Sequence, residues 1–398
     1  MSSAVSLPAP SGILFIPRSY DEGRKIVSET QDQQQNVAII YCIELIFRHE
    51  NQKWHIRVTL EDLSQSLKVN AKRYQRMKDL EDLCRCISFR DICLLDDTVT
   101  EIVLSKDISD SKLPLLPQDE PLDPNIIYAS IVLDLRFRTR EYAERVRFPL
   151  YDNNGAIPAV DWSAVQKEEE LGAGVYRVCI KGKPEQYVYK EIDRPLYDPY
   201  DTEILQQELR NLMLLRNTKG IVQILAVVIS VNPYQTNEGK GLSVLRGIIL
   251  EYHSRGSLQD LLRSKPTTNC PWLRWAVQLA TILDSLHHRQ LSHLDIKPAN
   301  VVIDANGDLV LIDLSGLAVS RNWLSPEMKD ILAPSGEDLE SRVQNDTWAF
   351  GKLLSCMADA ATNPQEVRLL KEVATLINVE ISMRISLRDA IAKLQQPV

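Results

Sequence analysis

Residues 292–316 read SHLDIKPANVVIDANGDLVLIDLSG, and the fold and chemistry of most of the chain turn on this stretch. Asp295, Lys297 and Asn300 stand close together, and Asp313 follows after two short apolar runs, VVI and LVLI. Carboxylates, a cation and an amide at such spacings suit a site for a nucleotide and a metal ion. Phosphoryl transfer asks a protein mainly to position phosphates, supply positive charge and orient an acceptor oxygen.

Working outward toward the N-terminus, other parts of such a site follow in order. LGAGVYRVCIKG, residues 171–182, sets Gly172 and Gly174 between two strand-like pieces, where missing side chains let backbone N–H groups approach phosphates. By itself a two-glycine turn is also an ordinary hairpin. YVYKEI then places Lys190 among apolar and aromatic neighbours, a costly position for an ammonium group without an anionic partner. QQELRNLMLL supplies Glu208 on a helix predicted near 201–217. A Lys190–Glu208 ion pair aimed at phosphates is the expected use, although either residue alone reads as surface charge. GIILEYHSRGSLQDLL, residues 247–262, reads as a buried strand running into a connector. It places backbone groups of Glu251 and His253 where an adenine edge would bond, with Leu250 behind them.

With these motifs in order, residues from about 168 to 395 resemble a eukaryotic-type protein kinase. HLDIKPAN is similar to the family's catalytic loop. The resemblance implies Asp295 as the acceptor of the hydroxyl proton, Lys297 as a charge on the transferring group and Asn300 as a magnesium ligand, in the form found in serine/threonine kinases. It implies Asp313 as the principal magnesium ligand, in the place of the family's DFG aspartate, and ATP and Mg2+ as cofactors. WLSPEM, residues 323–328, resembles the APE element, with Glu327 paired to Arg384 of RISLRDAIAKL. NDTWAFGKLL carries Asp346, in the place of the aspartate that anchors the catalytic-loop backbone. Glu327, Asp346 and Arg384 speak for a protein substrate and against a kinase of small molecules, and Lys297 implies that the substrate carries Ser or Thr. The implied fold is α+β: a bilobal kinase domain over 159–398, β-rich N-lobe and helical C-lobe, preceded by a separate α+β domain over 1–158.

Several positions depart from the family pattern. Arg177 replaces the third glycine of the phosphate loop, and the valine above the adenine falls on Cys179, or on Val178 with one gap. Leu294 stands where many kinases hold an arginine that receives a phosphorylated activation loop. The segment from Asp313 through Glu327 is short, and its hydroxyl residues are Ser315, Ser320 and Ser325. The expected consequence is a kinase not switched by activation-loop phosphorylation, with control passing to the N-terminal domain. Ser315 in place of the DFG glycine restricts the backbone and disfavours a flip of Asp313. The competing reading is a nucleotide-binding pseudokinase that acts as a scaffold.

The first 158 residues carry no catalytic constellation, so a regulatory or targeting role with a partner of its own is expected. VAIIYCIELIF at 37–47 and WHIRV at 54–58 read as paired strands. Thr59 and Asp62 resemble a capping box, with Leu60, Leu63 and Leu67 at helical spacing, and a second helix follows Asn70 with Tyr74, Met77, Leu80 and Leu83 on one side. Pro114, Pro117, Pro121 and Pro124 break the next segment. Alternation over 131–138 and again at Val146, Phe148 and Leu150 predicts a hairpin displaying Arg136, Arg138, Arg145 and Arg147.

Composition bounds the remainder. With 44% hydrophobic and 25% charged residues the chain reads as a soluble globular protein of two domains. A net charge of -8 argues against whole-molecule steering to nucleic acid or anionic membrane. IVQILAVVISV, residues 221–231, is too short to span a bilayer, and the N-terminus lacks the basic and apolar regions of a secretory signal. Seven cysteines without a CxxC pair suit a reducing compartment. The expected location is intracellular, cytoplasmic or nuclear.

Overall fold

In the computed structural model, residues 12–29, 35–62, 72–106, 111–116, 132–152, 155–237, 239, 241–264 and 270–396 are described. The chain forms two compact units, Met1–Arg145 with Val231–Val244, and Val146–Ser230 with Leu245–Val398.

The first unit begins with β1 (Gly12–Phe15), β2 (Asp21–Glu29), β3 (Gln35–His49) and β4 (Gln52–Asp62). Helix α1 (Arg73–Cys86) follows, then β5 (Val99–Ser105), β6 (Ser111–Lys112) and β7 (Arg136–Glu141). Their sheet runs β1-β3-β4-β5-β7-β6, and β2 also pairs with β3. Alternate residues of the long hairpin, Tyr41, Ile43 and Leu45 on β3 with Ile56, Val58 and Leu60 on β4, share one core with Leu80, Leu83 and Cys84 of α1. The local helix signal at Thr59–Asp62 loses to this sheet. Register pairs Thr59 with Cys42 and Asp62 with Ile39, and Leu60 is 1% exposed within the core. Leu63 and Leu67 lie outside the described residues, as do Pro117, Pro121 and Pro124. The helix after Asn70 is present, but Tyr74 points to solvent at 69% exposure.

The hairpin expected over 131–150 is replaced by another arrangement. Val132–Asp134 form a 3-10 turn, and both edges of β7 are occupied, by β5 and β6. Val146 and Phe148 instead pack against the core of the second unit. Arg136 and Arg138 are exposed on β7, whereas Arg145 pairs with Glu141 at 2.6 Å.

The second unit opens with a sheet-rich lobe: β8 (Ala159–Asp161), β9 (Val165–Gly172), β10 (Val175–Ile180), β11 (Gln186–Glu191), α2 (Pro199–Leu214), β12 (Ile224–Val231) and β13 (Ser243–Glu251). The sheet order is β8-β12-β13-β11-β10-β9. Asp198 and Asp201 form a capping box that starts α2, with Pro199 in its first turn. A helical lobe follows, with α3 (Leu258–Ser264), α4 (Trp272–His288), the small hairpin β14 (Val301–Ile303) and β15 (Leu309–Leu311), α5 (Leu339–Ala360), α6 (Pro364–Ile377) and α7 (Leu387–Leu394). Helix α4 buries Trp272, Trp275, Ala276, Leu279, Leu283 and Leu286 at helical spacing, which fixes the floor under the 292–316 stretch. No described helix is long and apolar enough to cross a membrane.

Candidate active site

Two neighbouring cavities lie in the second unit. The larger, about 560 Å³, is lined by Leu171, Gly172, Val175, Val188, Lys190, Leu250, Glu251, His253, Ile312 and Asp313, among others. The smaller, about 240 Å³, lies against Gly174, Arg194, Glu208 and Ser315, and shares Val175, Lys190 and Asp313 with the first. Lys190 and Asp313 therefore stand where the two spaces adjoin.

Strand pairing puts Lys190 there. On β11 it sits opposite Val175 of β10 and Ile248 of β13, so its register is held from both sides. At Gly247, the neighbour of Ile248, a Cβ would come within 2.1 Å of the Lys190 carbonyl, so only glycine allows β13 to approach β11 this closely. The Lys190 ammonium bonds Glu208 Oε1 of α2 at 2.6 Å and also the Asp313 carboxylate. Burial works against the Lys190 charge, but Asp313 and Glu208 outweigh it and hold its pKa above the ordinary lysine value. For Asp313, burial pushes the carboxyl up, and the charge and hydrogen bond of Lys190 more than cancel that, leaving it below the usual carboxylate range. For Glu208 burial prevails, and the value is raised.

The turn at 172–175 is tight. Gly174 has φ +73, and a Cβ there would meet Arg194 Cβ at 2.5 Å. Arg194 is itself fastened to Asp201 through both carboxylate oxygens, Nε to Oδ2 at 2.6 Å. Neither Cys179 nor Val178 lines the larger cavity; Leu171, Val175 and Val188 supply its apolar wall there. The displacement follows from strand geometry, because Cys179 lies four residues, about 13 Å, along β10 from Val175. Its thiol bonds Glu168 at 3.0 Å, while Val178 faces a separate small core. Arg177 turns to Glu168 and Glu169 at 3.3 and 2.8 Å. Leu250 is buried, and His253 is half-buried 3.7 Å from Glu251, with burial lowering its pKa despite that carboxylate.

Across the cleft, the catalytic-loop residues are mutually bonded. Lys297 Nζ lies 2.6 Å from Asp295 Oδ2, and Asn300 Nδ2 donates to Asp295 O at 2.9 Å and to Oδ2 at 3.0 Å. Asp295 is 4% exposed, and its Oδ1 has no hydrogen-bond partner among the described residues. A buried carboxylate oxygen without a donor is expensive, which marks it as an atom kept for a partner that the described residues do not supply. With both Nδ2 protons of Asn300 committed, its Oδ1 is the atom left for a cation.

The loop backbone is strained and anchored. Leu294 and Asp313 adopt φ +65 and +63, unusual for side-chain-bearing residues and costly unless the surroundings impose them. Asp346, 0% exposed on α5, accepts from the N–H groups of His293 and Leu294 at 2.7 Å each and contacts His287 at 3.1 Å. His293 accepts the Asp295 N–H at Nδ1, so its Nε2 is the donor to the Ile312 carbonyl at 2.8 Å. That bond ties the catalytic loop to the residue before Asp313. Arg384 reaches Glu327 at 3.0 Å and also the Gln344, Ile377 and Val379 carbonyls.

Three contributors receive no role from the motifs, although His293 lies within HLDIKPAN. Ser320 accepts from Lys297 at 2.9 Å, His293 bridges the two loops, and Asn211 of α2 grips the backbone after Asp313. A hydroxyl in a loop and a polar residue inside a helix give no periodic signal, so only the folded contacts expose them.

Comparison with known proteins agrees with this architecture: residues 165–391 match the family model of the protein kinase domain. The chain belongs to the protein kinase family. The kinase domain is 26% identical over 222 residues to "Protein kinase wis1" of Schizosaccharomyces pombe, covering 52% of this chain and 34% of that protein. It is 27% identical over 186 residues to "Mitogen-activated protein kinase kinase kinase 1a" of Physcomitrium patens, covering 42% and 23% respectively. "Mitogen-activated protein kinase kinase 1c" of the same moss is 33% identical over 118 residues, 27% of this chain and 34% of its own length. The chain thus matches about a third or less of the length of these relatives.

Proposed function

We propose that the second unit is an ATP- and magnesium-dependent serine/threonine protein kinase whose activity does not depend on a phosphorylated activation segment. The observation that carries this reading is Lys190, bonded to both Glu208 and Asp313 beside a cavity of about 560 Å³, facing a catalytic loop whose Asp295 keeps one buried oxygen unpaired.

Asp313, with its side chain 36% exposed, and Asn300 Oδ1 fit a magnesium ion, which takes one or two protein oxygens and completes its shell with phosphates and water. When bound, magnesium-ATP supplies the transferable phosphoryl group and the cation that neutralises its oxygens. The protein's own part is placement. Lys190 holds phosphate oxygens, the 172–174 turn presents backbone N–H groups, Glu251 and His253 border the base, and Leu250 closes the rear. Asp295 Oδ1 accepts the proton of a substrate Ser or Thr hydroxyl, and Lys297 stays beside it as a fixed positive charge. Glu327, Asp346 and Arg384 hold the surrounding loops.

Support for independence from phosphorylation comes from Leu294. Where an arginine would await a phosphate, Leu294 is 0% exposed in an apolar cluster with Leu324 and Met328. Packing thus joins the catalytic loop to the end of the activation segment. The first unit is assigned a regulatory or targeting role with its own partner, and the protein an intracellular, cytoplasmic or nuclear location. The pseudokinase alternative draws on Arg177, which replaces a glycine of the phosphate loop.

The test is transfer of labelled phosphate from magnesium-ATP to a panel of Ser/Thr peptides, using phosphatase-treated protein. Asp295→Asn is expected to lower transfer by about 10²–10⁴-fold while leaving nucleotide affinity intact. Nucleotide binding without transfer by the parent protein would select the scaffold reading.

A further inference from the structure

One face of helix α2 holds both Lys190 and the peptide after Asp313. Glu208 receives the Lys190 ammonium at 2.6 Å. Three residues on, and so on the same face of the helix, Asn211 Nδ2 donates to Leu314 O at 2.6 Å and to Ser315 O at 3.2 Å. Gln207 donates to Asn211 Oδ1 at 2.9 Å, which fixes the amide so that its donor faces the carbonyls. Asn211 is 4% exposed inside the helix. Asparagine is a poor helix former, and burying its amide is costly without partners, so neither helix propensity nor packing accounts for it.

The far side of the segment is closed by Ser315. Its Oγ accepts the N–H groups of Leu317 and Ala318, each at 3.2 Å. The left-handed conformation falls one residue later, on Gly316 at φ +65, where a Cβ would stand 2.8 Å from Ser292 O. Ser315 is therefore more than a stiffer residue in place of glycine: its hydroxyl caps the turn that follows. To swing Asp313 away from Lys190, the 313–316 backbone would have to break the Asn211 bonds and the Ser315 caps together.

We infer that Asn211 is a positioning residue which, with Ser315, clamps residues 313–316 to α2 and keeps Asp313 and Glu208 registered on Lys190 without any phosphate on the activation segment. This inference rests on the kinase reading for its consequence, but the clamp itself is a property of the fold. Glu208 and Asp313 are joined through Lys190 side chains; Asn211 joins the same two elements through backbone, which leaves Lys190 free to exchange partners when phosphates arrive.

The experiment uses the full chain, phosphatase-treated, with Asn211→Asp, which keeps the shape but turns a second acceptor toward the two carbonyls, and Ser315→Ala, which leaves α2 untouched. Hydrogen exchange of peptides covering 313–320 is followed beside kcat and the KM for ATP. Both variants are expected to speed exchange over 313–320 and to lower kcat about tenfold, the factor corresponding to one net hydrogen bond, with thermal stability nearly unchanged for Ser315→Ala. Unchanged exchange and unchanged kcat in Ser315→Ala and in a folded Asn211→Asp overturn the clamp; should Asn211→Asp not fold, Ser315→Ala decides alone. If the parent transfers no phosphate, the kinase reading fails, and the exchange comparison still decides the clamp.

Discussion

Leu294 shows how much one side chain can redirect the logic of a site. It carries φ +65, is fully buried, and packs with Leu324, Met328, Val319 and Ile331. An arginine here would bring a buried charge that needs an anion; a leucine needs only apolar neighbours, and the short activation segment provides them. Leu294→Ala should therefore cost about 2–5 kcal/mol, the range for emptying a buried leucine site, and lower the melting temperature by about 2–4 °C per kcal/mol. It should also release residues 319–328, seen as faster proteolysis there. A loss under 1 kcal/mol with unchanged proteolysis would mean that the cluster is not what holds the segment. The substitution itself is plain in the sequence, but its neighbours are not, because Leu324 and Met328 reach it only after the chain has doubled back.

At the scale of elements, β4 illustrates both what can be read locally and what cannot. WHIRV announces a strand through alternating apolar residues. Its extension through Asp62 is imposed by β3, because continuing an existing ladder adds hydrogen bonds that an isolated helical turn at Thr59 cannot match. The strand also carries a titratable group. His55 is half-buried, edge-on at 5.2 Å to Tyr234, and its buried Nε2 has no hydrogen-bond partner among the described residues. Burial, helped by Lys53, lowers its pKa from 6.5 to about 4. The unfolded chain thus binds this proton more readily than the folded one. The stabilisation is complete above about pH 6.5, declines as pH falls, and levels off near pH 4. Denaturant midpoints reported by exchange of β4 amides should fall across that window, and His55→Gln should flatten the fall. A His55→Gln profile as steep as the parent's would assign the pH response elsewhere.

For the whole molecule, each unit has its own core, and the first is completed by a segment distant in sequence. Residues 231–244 supply Thr236, 0% exposed, whose N–H bonds Asp97 Oδ1 at 2.9 Å while its hydroxyl accepts the Asp97 N–H at 2.9 Å. The Thr236 carbonyl also takes the Lys53 N–H at 2.9 Å. Asp97→Ala in the full chain should unprotect the amides of 232–237 and of Lys53 together, since they form one bonded set. Loss confined to Thr236 would show that the segment is held residue by residue.

What the amino-acid order alone determined is the set of short motifs, namely the glycine turn, the lysine strand and the HLDIKPAN loop; the family they resemble implied the anchoring Asp346, the Glu327–Arg384 pair and the kinase fold of the second unit. Each motif is a local pattern whose chemistry survives being read out of context. The tertiary structure decided which residues join across long stretches of chain: the strand through Asp62, Val175 rather than Cys179 on the cavity wall, the Asn211 grip on Leu314, and the adoption of 231–244 by the first unit. Such pairings depend on closing long loops and on which partner's hydrogen bonds and apolar surface repay that entropy, and no window of neighbouring residues contains this information.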